Sequence, residues 1–378
     1  MAGAGRRDFI FKLILITIGI VFGGAFAEVT TRVYANSSDN WVAKKLRSDP
    51  FAVMVEAHGE LGYRPKPNRT LKYKNGTAAN TNSLGFRGPE VSLEKRPGIV
   101  RIVLLGGSTT HGWGVNDNQT IDRYMRDELA SRYPHRSFEV INLAYDGYDA
   151  YQLFERLRTD GLRYDPDFVI VHTGVNDVRN ARYPDLKDRD PRTMLWISEV
   201  NRSREEQKHG GPSIWTRIKH YVYLARVPAT TRAAAQSRSQ QEVEAVVSPH
   251  RDALDYFEKN LERMIELTRG SSTVVLLSSE PSSLLTKYQP SDVSTISYWI
   301  RDAATTQKYR DSLDARLQHV VDDASARGDR VARVPYQKLD PTLFLDDAHL
   351  TPQGNQRLAN VFVAALDSFL TSGLAAAR

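Results

Sequence analysis

Apolar and polar positions follow two regular patterns from residue 100 onward. Short runs rich in β-branched and aliphatic residues alternate with longer segments in which apolar residues recur at helical spacing. The predicted strands are 100–105, 138–143, 168–172, 273–278 and 331–335. The predicted helices are about 119–132, 150–160, 251–268, 305–326 and 354–370. Strands that alternate with helices are typical of an α/β domain with a parallel sheet.

The amino terminus has a different pattern, because an apolar run from Phe9 to Ala27 carries one charged residue, Lys12. In a helix, which rises about 1.5 Å per residue, this run approaches the roughly 30 Å hydrocarbon thickness of a membrane. It has no polar face at a 3.6-residue period, which disfavours a buried core helix. A retained signal anchor is the favoured interpretation, and a signal peptide cleaved near Ala27 is the alternative.

Both interpretations imply export. Arg6 and Arg7 precede the apolar run, so the positive-inside tendency keeps the start of the chain in the cytoplasm. We therefore expect a membrane-anchored protein whose main domain lies in the periplasm or at the cell exterior, or a secreted protein if cleavage occurs.

Three segments are predicted: 1–27 as signal anchor or signal peptide, 28–98 as a membrane-proximal preface, and 99–374 as the α/β domain. The preface is turn-rich and predicts loops and short strands packed on the main domain. An insertion at about 180–250 is too long for an ordinary α/β connection. It contains a charged stretch and a predicted amphipathic helix from Ile214 to Val227, and it is expected to form a lid, an acceptor site or a surface excursion.

The composition narrows the class of protein. Of 378 residues, 41% are hydrophobic and 25% charged, which argues against a mainly disordered chain or a polytopic membrane protein. The absence of cysteine excludes disulfides, zinc-thiolate sites and a cysteine nucleophile. The net charge of +6 is too small and too scattered to predict a nucleic-acid partner.

Candidate chemical groups follow the first three predicted strands. The first strand runs into Gly106-Gly107-Ser108, and open α/β sheets place ligands and reacting groups at this edge. The second leads to Gly147, whose N–H could point at a ligand, and the third to Asn176, which carries an amide donor. Each is also compatible with ordinary turn and capping chemistry.

Among nine histidines, only His349 has an aspartate three residues before it, Asp346. Asp346 could hold the Nδ1 proton of His349 and leave Nε2 free as a base. His111, three residues after Ser108, lies near the proposed cleft and could contact substrate, but exposure in a loop is the favoured expectation.

In this order the motifs resemble the SGNH hydrolases, also called the GDSL esterase/lipase family. The matching blocks are Gly-Gly-Ser-Thr, Asn-Leu-Ala-Tyr-Asp-Gly, Gly-Val-Asn-Asp and Asp-Asp-Ala-His-Leu-Thr. The resemblance covers 100–370 apart from the insertion. The stretch from Asn82 to Gly88 is similar to one that precedes the serine block in membrane-anchored bacterial members. Gly107 stands where many members have aspartate, and we interpret it as a tolerated variant because Ser108 is kept.

The resemblance implies a three-layer, flavodoxin-like α/β/α fold with a parallel five-stranded sheet. It implies Ser108 as nucleophile, His349 as base and Asp346 as the carboxylate that orients the base. The backbone N–H groups of Ser108 and Gly147 and the side-chain amide of Asn176 would form the oxyanion hole. Neither a metal nor an organic cofactor is expected.

The expected function is that of a serine esterase that hydrolyses an O-acetyl or similar ester of a small molecule or carbohydrate in the cell envelope. One alternative is an O-acyltransferase acting on an envelope polysaccharide, which shares the first half-reaction. The other is a catalytically silent protein that binds glycans or serves in assembly. The membrane is an expected partner through the amino-terminal helix, and the sequence identifies no protein partner.

Overall fold

The computed structural model describes residues 2–38, 54–73, 75–181, 251–284 and 302–372, with short stretches between 203 and 227 and residue 249. The chain divides into two compact units, Met1–Val53 with Arg202–Val243, and Met54–Asn201 with Glu244–Arg378. Most of the predicted insertion at 180–250 lies outside the described residues.

The described ranges contain the following strands and helices, with short 3₁₀ turns between them. The strands are β1 (Val55–His58), β2 (Gly62–Pro65), β3 (Thr70–Lys72), β4 (Ala78–Asn80), β5 (Ile99–Gly106), β6 (Ser137–Asn142), β7 (Phe168–Thr173), β8 (Val274–Ser279) and β9 (Val331–Arg333). The helices are α1 (Ala2–Ser37), α2 (Ser108–His111), α3 (Ile121–Arg132), α4 (Ala150–Thr159), α5 (Val175–Asn180), α6 (Ile214–Tyr221), α7 (Ala253–Thr268), α8 (Ala303–Ala326) and α9 (Pro352–Thr371).

The central sheet has five parallel strands in the spatial order β6-β5-β7-β8-β9. The chain moves from β5 outward to β6 and then crosses back to β7 on the other side. This is the flavodoxin-like order, in which ligands bind beyond the carboxyl ends of the strands at the point of reversal. The predicted parallel five-stranded sheet with flanking helices is confirmed.

The three central strands β5, β7 and β8 are buried on both faces, as parallel strands covered by helices must be. Successive side chains point to opposite faces, so each strand contributes to two cores. Val103, Val169 and Val275 belong to the core that includes Leu153, Leu261 and Leu317 of the helices on one face. Ile102, Ile170 and Leu276 belong to the other, with Met125 and Phe362 from the opposite helices.

The segment between 54 and 98 packs into the first of these cores through Val55, Leu61, Tyr63 and Phe86. It forms two antiparallel hairpins, β1 with β2 and β3 with β4. The predicted loops and short strands of this segment are thus present. The helix predicted from Ile214 to Val227 is shorter in the structure, ending at Tyr221.

Helix α1 contains a candidate membrane span, Phe9–Ser37, with a mean hydropathy of 2.3 over its most apolar 18 residues. None of that apolar window is buried. By length and composition the helix is able to cross a membrane, although a signal sequence meets the same test.

Candidate active site

Ser108 is the first residue of α2 and directly follows β5 and Gly107. This position puts its side chain at the carboxyl edge of the sheet, beside the point where the strand order reverses. The first N–H groups of a helix have no acceptor within the helix. The N–H of Ser108 accordingly has no hydrogen-bond acceptor among the described residues.

His349 and Asp346 form a hydrogen-bonded chain with Ser108. The Nε2 atom of His349 is 2.8 Å from Ser108 Oγ, and its Nδ1 atom is 2.6 Å from Asp346 Oδ2. The other carboxylate oxygen, Oδ1, accepts hydrogen bonds from the backbone N–H groups of His349 and Ala348, at 2.7 and 2.9 Å. The carboxylate therefore favours the proton on Nδ1 and leaves Nε2 facing the serine hydroxyl.

Opposing effects set the pKa of His349. Burial lowers this pKa, but the hydrogen bond and charge of Asp346, followed by the charges of Asp146 and Asp347, raise it above the ordinary value of 6.5. Burial also raises the pKa of Asp346, but hydrogen bonds from the ring and backbone of His349 hold it below its ordinary value. An ionised carboxylate beside the imidazole makes His349 a stronger base than a free histidine.

The loop that carries Asp346 and His349 is fixed from several sides. Within the loop, the Leu345 N–H donates to the His349 carbonyl at 2.7 Å. From the loop after β8, Ser283 Oγ donates to the Asp346 carbonyl at 2.8 Å. Helix α9 begins directly afterwards, with Thr351 as its N-cap. These contacts fix the backbone of the loop from which the His349 side chain reaches Ser108.

Two further N–H donors line the same cleft as Ser108. Gly147 has φ of +84°, a conformation that side chains disfavour, and its N–H has no acceptor in the described part of the chain. Asn176 Nδ2 donates one hydrogen to the Tyr148 carbonyl at 2.9 Å, which leaves its second amide hydrogen for another acceptor. The fold thus brings all five residues singled out in the sequence to one cleft.

The loop that carries Gly147 is held by side chains from distant parts of the chain. Tyr63 donates its hydroxyl proton to the Asp146 carbonyl at 2.8 Å, and the His111 Nδ1 atom is 2.9 Å from Asp146 Oδ1. The expectation that His111 lies exposed is wrong, since it is 2% exposed. Its partner Asp146 is 35 positions away along the chain, so a search of sequence neighbours does not find it.

Glu280 supports the turn that carries Asn176. It directly follows β8, is buried, and accepts a hydrogen bond from the Val175 N–H at 2.7 Å. Val175 is the first residue of α5 and Asn176 the second. Burial raises the pKa of Glu280, and the Val175 N–H and the Arg310 charge offset part of this effect. No local sequence pattern marks Glu280, because its partner Val175 is 105 positions away.

Trp113 forms one wall of the cleft. Its ring centroid is 4.4 Å from that of His349, with 31° between the ring planes, and 5.5 Å from that of Tyr73 behind it. The indole covers one face of the imidazole and thereby restricts the approach of water to that face.

Arg87, from the Asn82–Gly88 stretch, holds the loop on which Trp113 lies. Its buried guanidinium donates to the carbonyls of His111, Gly112 and Val115 at 2.9, 2.5 and 2.7 Å. The stretch therefore has a structural role: it fixes the loop that follows α2.

The cleft has a volume of about 140 Å³. It is lined by Ser108, Trp113, Asp146, Gly147, Val175, Asn176, Asp346, Asp347, Ala348 and His349. Within the described ranges, no group of three or more histidines or carboxylates is positioned to hold a metal ion.

Comparison with known proteins gives the family. The profile of the GDSL-like Lipase/Acylhydrolase family matches residues 104–357, more than half of the chain. The chain belongs to this family of ester-hydrolysing enzymes. A search of curated proteins returned no match.

Solved structures with detectable similarity are distant. A lipase/acylhydrolase from Enterococcus faecalis is 16% identical, with 71% of this chain and 96% of that chain covered and a TM-score of 0.40. A GDSL-like lipase from Bacteroides thetaiotaomicron is 18% identical, with 71% and 88% covered and a TM-score of 0.37. A catalytic mutant of an acetylxylan esterase from Geobacillus stearothermophilus is 14% identical, with 70% and 93% covered and a TM-score of 0.40.

Proposed function

We propose that the protein is a serine esterase that hydrolyses a short-chain acyl ester through Ser108, His349 and Asp346. The observation that carries this proposal is the continuous chain of hydrogen bonds from the Asp346 carboxylate through the His349 ring to the Ser108 hydroxyl. Nucleophile and base within hydrogen-bond reach, with the base oriented by a third group, is the arrangement that nucleophilic catalysis requires.

In the first half-reaction, Ser108 Oγ attacks the ester carbonyl carbon and its proton passes to His349 Nε2. The carbonyl oxygen becomes an oxyanion, which the N–H groups of Ser108, Gly147 and Asn176 stabilise. Collapse of the tetrahedral intermediate breaks the bond to the alcohol oxygen, and His349 returns the proton to that oxygen. The products of this step are the free alcohol and an acyl-enzyme at Ser108.

In the second half-reaction, water takes the place of the alcohol. His349 Nε2 removes a proton from the water as its oxygen attacks the acyl carbon, and the proton then returns to Ser108 Oγ. The carboxylic acid leaves and the resting enzyme is restored. Asp346 keeps its charge throughout and stabilises the protonated ring.

The size and walls of the cleft support a short acyl group. Its volume of about 140 Å³ is below the roughly 300–1,000 Å³ of pockets that enclose larger ligands. An acetyl group is of suitable size. The alcohol would extend past Trp113, which lines the cleft beside His349.

An O-acyltransferase activity is the second candidate, and the position of Trp113 favours it. The indole covers one face of the His349 ring at 4.4 Å between centroids, and as a wall of the cleft it narrows the space from which water can reach the acyl-enzyme. A bound hydroxyl acceptor would then compete with water for the acyl-enzyme. Adding an alcohol acceptor to the assay and measuring acylated alcohol against free acid separates the two activities.

We place this activity at the cell envelope. The apolar, unburied window of α1 and the basic residues before it support a retained anchor with the active site in the periplasm or at the cell exterior. Cell fractionation and the mass of the mature protein test this location, since cleavage near Ala27 would release the enzyme.

The activity test is the turnover of p-nitrophenyl acetate by the purified full chain and by three variants. Ser108→Ala and His349→Ala are expected to abolish turnover. Asn176→Ala is expected to reduce kcat by about 10²–10³-fold, as loss of one oxyanion donor does elsewhere. Turnover by folded Ser108→Ala equal to that of the wild type would refute the proposal.

A further inference from the structure

The exposure of α1 changes abruptly along its length. Every residue from Phe9 to Phe26 is exposed, on all sides of the helix. From Ala27 onward one face is covered: Ala27, Glu28 and Thr31 are half-buried, and Ala35 is fully buried. These positions are three to four residues apart and so lie on one side of a helix. The part of α1 that is exposed on all sides therefore coincides with the apolar run.

Polar contacts identify part of what covers this face. The Tyr223 N–H donates to Glu28 Oε1 at 2.8 Å. Arg32 donates to the Tyr221 carbonyl, and its guanidinium lies 4.7 Å from the centre of the Tyr223 ring. Glu28 and Arg32 are also paired with each other at 2.6 Å. The end of α6 and the residues just after it are thus hydrogen-bonded to the first turns of α1 after the apolar run.

The helix rise gives the depth of this contact. At about 1.5 Å per residue, Glu28 and Arg32 lie within roughly 8 Å of the end of the apolar run at Ala27. The polar headgroup layer extends about 5–8 Å beyond the hydrocarbon on each side of a bilayer. If α1 crosses a membrane, Tyr221 and Tyr223 lie at the height of the headgroups, where tyrosine is enriched.

The composition of the segment suits that layer. Ile214 and Tyr221, the first and last residues of α6, are 71% and 70% exposed. The helix carries Arg217 and Lys219 and no acidic residue. Across 202–227 the sequence holds six basic residues (Arg202, Arg204, Lys208, Arg217, Lys219, Arg226) and two acidic ones (Glu205, Glu206). Exposed apolar and aromatic groups beside positive charge are typical of helices that lie on anionic lipid surfaces.

We infer that the part of the insertion from Ile214 to Tyr223 docks on the anionic phospholipid headgroups of the membrane that α1 crosses. This inference rests on the proposed membrane anchor and is independent of the esterase chemistry. The segment would set the orientation of α1 at the surface through Glu28 and Arg32, with Tyr221 in the headgroup layer and the basic residues of α6 against lipid phosphates.

The chain has no cysteine, so single cysteines can report depth in the full-length protein. Tyr221→Cys is labelled with a fluorophore and reconstituted into phosphatidylcholine vesicles that contain phosphatidylglycerol. Phe22→Cys, Thr30→Cys and Ser37→Cys on α1 serve as references for the hydrocarbon, the headgroup layer and water. Nitroxides attached to lipid headgroups or to mid-chain carbons quench the label according to its depth. Turnover of p-nitrophenyl acetate by each labelled protein serves as the check that the enzyme is folded.

The inference predicts that headgroup nitroxides quench Tyr221→Cys as strongly as Thr30→Cys, and that omitting phosphatidylglycerol weakens this quenching. Reversing the charge with Arg217→Glu and Lys219→Glu is expected to remove the effect of phosphatidylglycerol. Quenching of Tyr221→Cys no greater than that of Ser37→Cys would overturn the inference. Absence of mid-chain quenching at Phe22→Cys would overturn it together with the anchor, while esterase turnover would be unaffected.

Discussion

The side-chain amide of Asn176 occupies the space into which a side chain at position 107 would project. A Cβ atom built on Gly107 would lie 2.3 Å from Asn176 Nδ2 and 3.3 Å from the Tyr148 carbonyl oxygen that accepts from this amide. The absence of a side chain at Gly107 is therefore coupled to the position of a proposed oxyanion donor. This gives a physical reason for glycine where many family members carry aspartate.

Replacing Gly107 is expected to impair catalysis. Gly107→Ala must push the Asn176 amide away, and Gly107→Asp more so, which weakens stabilisation of the oxyanion. We expect kcat for p-nitrophenyl acetate to fall by about 10–100-fold, less than for outright loss of a donor. Gly59→Ala is the matched control, because a Cβ there has nothing within 4 Å. Unchanged kcat in both Gly107 variants would contradict this coupling.

The pH profile should report the raised pKa of His349. The base works unprotonated, so kcat/KM rises with pH through this pKa, and the midpoint is expected above the ordinary value of 6.5. The charge of Asp347 contributes to that raised pKa. Asp347→Asn should therefore move the rising limb to lower pH while the plateau stays near that of the wild type.

Asp127→Asn is the control for this experiment. Asp127 pairs with Arg123 on the surface of α3 and is 54% exposed. Its removal should leave the pH profile in place. Two results would contradict this explanation of the His349 pKa. One is a wild-type kcat/KM profile with its midpoint below pH 6.5, and the other is a profile for Asp347→Asn that coincides with that of the wild type.

Removing the Glu280 carboxylate should act through Asn176. Glu280→Ala leaves the Val175 N–H without its buried acceptor and loosens the start of α5, so kcat is expected to fall by about 10–100-fold. Glu280→Gln retains an acceptor oxygen and should recover much of this activity. The fall in kcat caused by Glu280→Ala should be smaller in an Asn176→Ala background, because Glu280 acts through the Asn176 donor. Equal losses in both backgrounds would show that Glu280 acts elsewhere.

Arg87 should affect stability and activity together. Arg87→Ala removes the guanidinium hydrogen bonds to the carbonyls of His111, Gly112 and Val115, and each hydrogen bond to a charged group contributes about 1.5–3 kcal/mol. We expect a lower melting temperature and a slower turnover, since the loop with Trp113 is released. Arg87→Lys keeps the positive charge but lacks the planar guanidinium that donates to several carbonyls at once. It should therefore recover only part of the melting temperature and of the turnover. The exposed Arg96 provides an Arg→Ala control.

The sheet was predictable because its strands are short, apolar and regularly spaced between helices. Boundaries followed local chemistry: the helix predicted at 305 begins at Ala303, because Asp302 accepts a hydrogen bond from the Thr305 N–H at 2.6 Å and caps it. The sequence blocks around Ser108 and His349 also predicted which residues would meet at the carboxyl edge of the sheet.

The supporting contacts were not predictable from one sequence. Glu280 and Val175 are 105 positions apart, and His111 and Asp146 are 35 apart, so no local pattern links them. Only the parallel register of β7 and β8 brings Glu280 beside the turn after β7. Likewise, the sequence does not show that the Asn176 amide lies where a side chain at Gly107 would project, because the two residues are brought together only by the fold.

The central claim is that Ser108 is a nucleophile activated by His349, and covalent trapping tests it most directly. The full chain is incubated with a fluorophosphonate, which reacts with activated serines, and the adduct is located by peptide mass. The account predicts a single adduct on Ser108, none in Ser108→Ala and much slower labelling in His349→Ala. Absence of an adduct in the folded wild type, or labelling of Ser108→Ala at the wild-type rate, would contradict it.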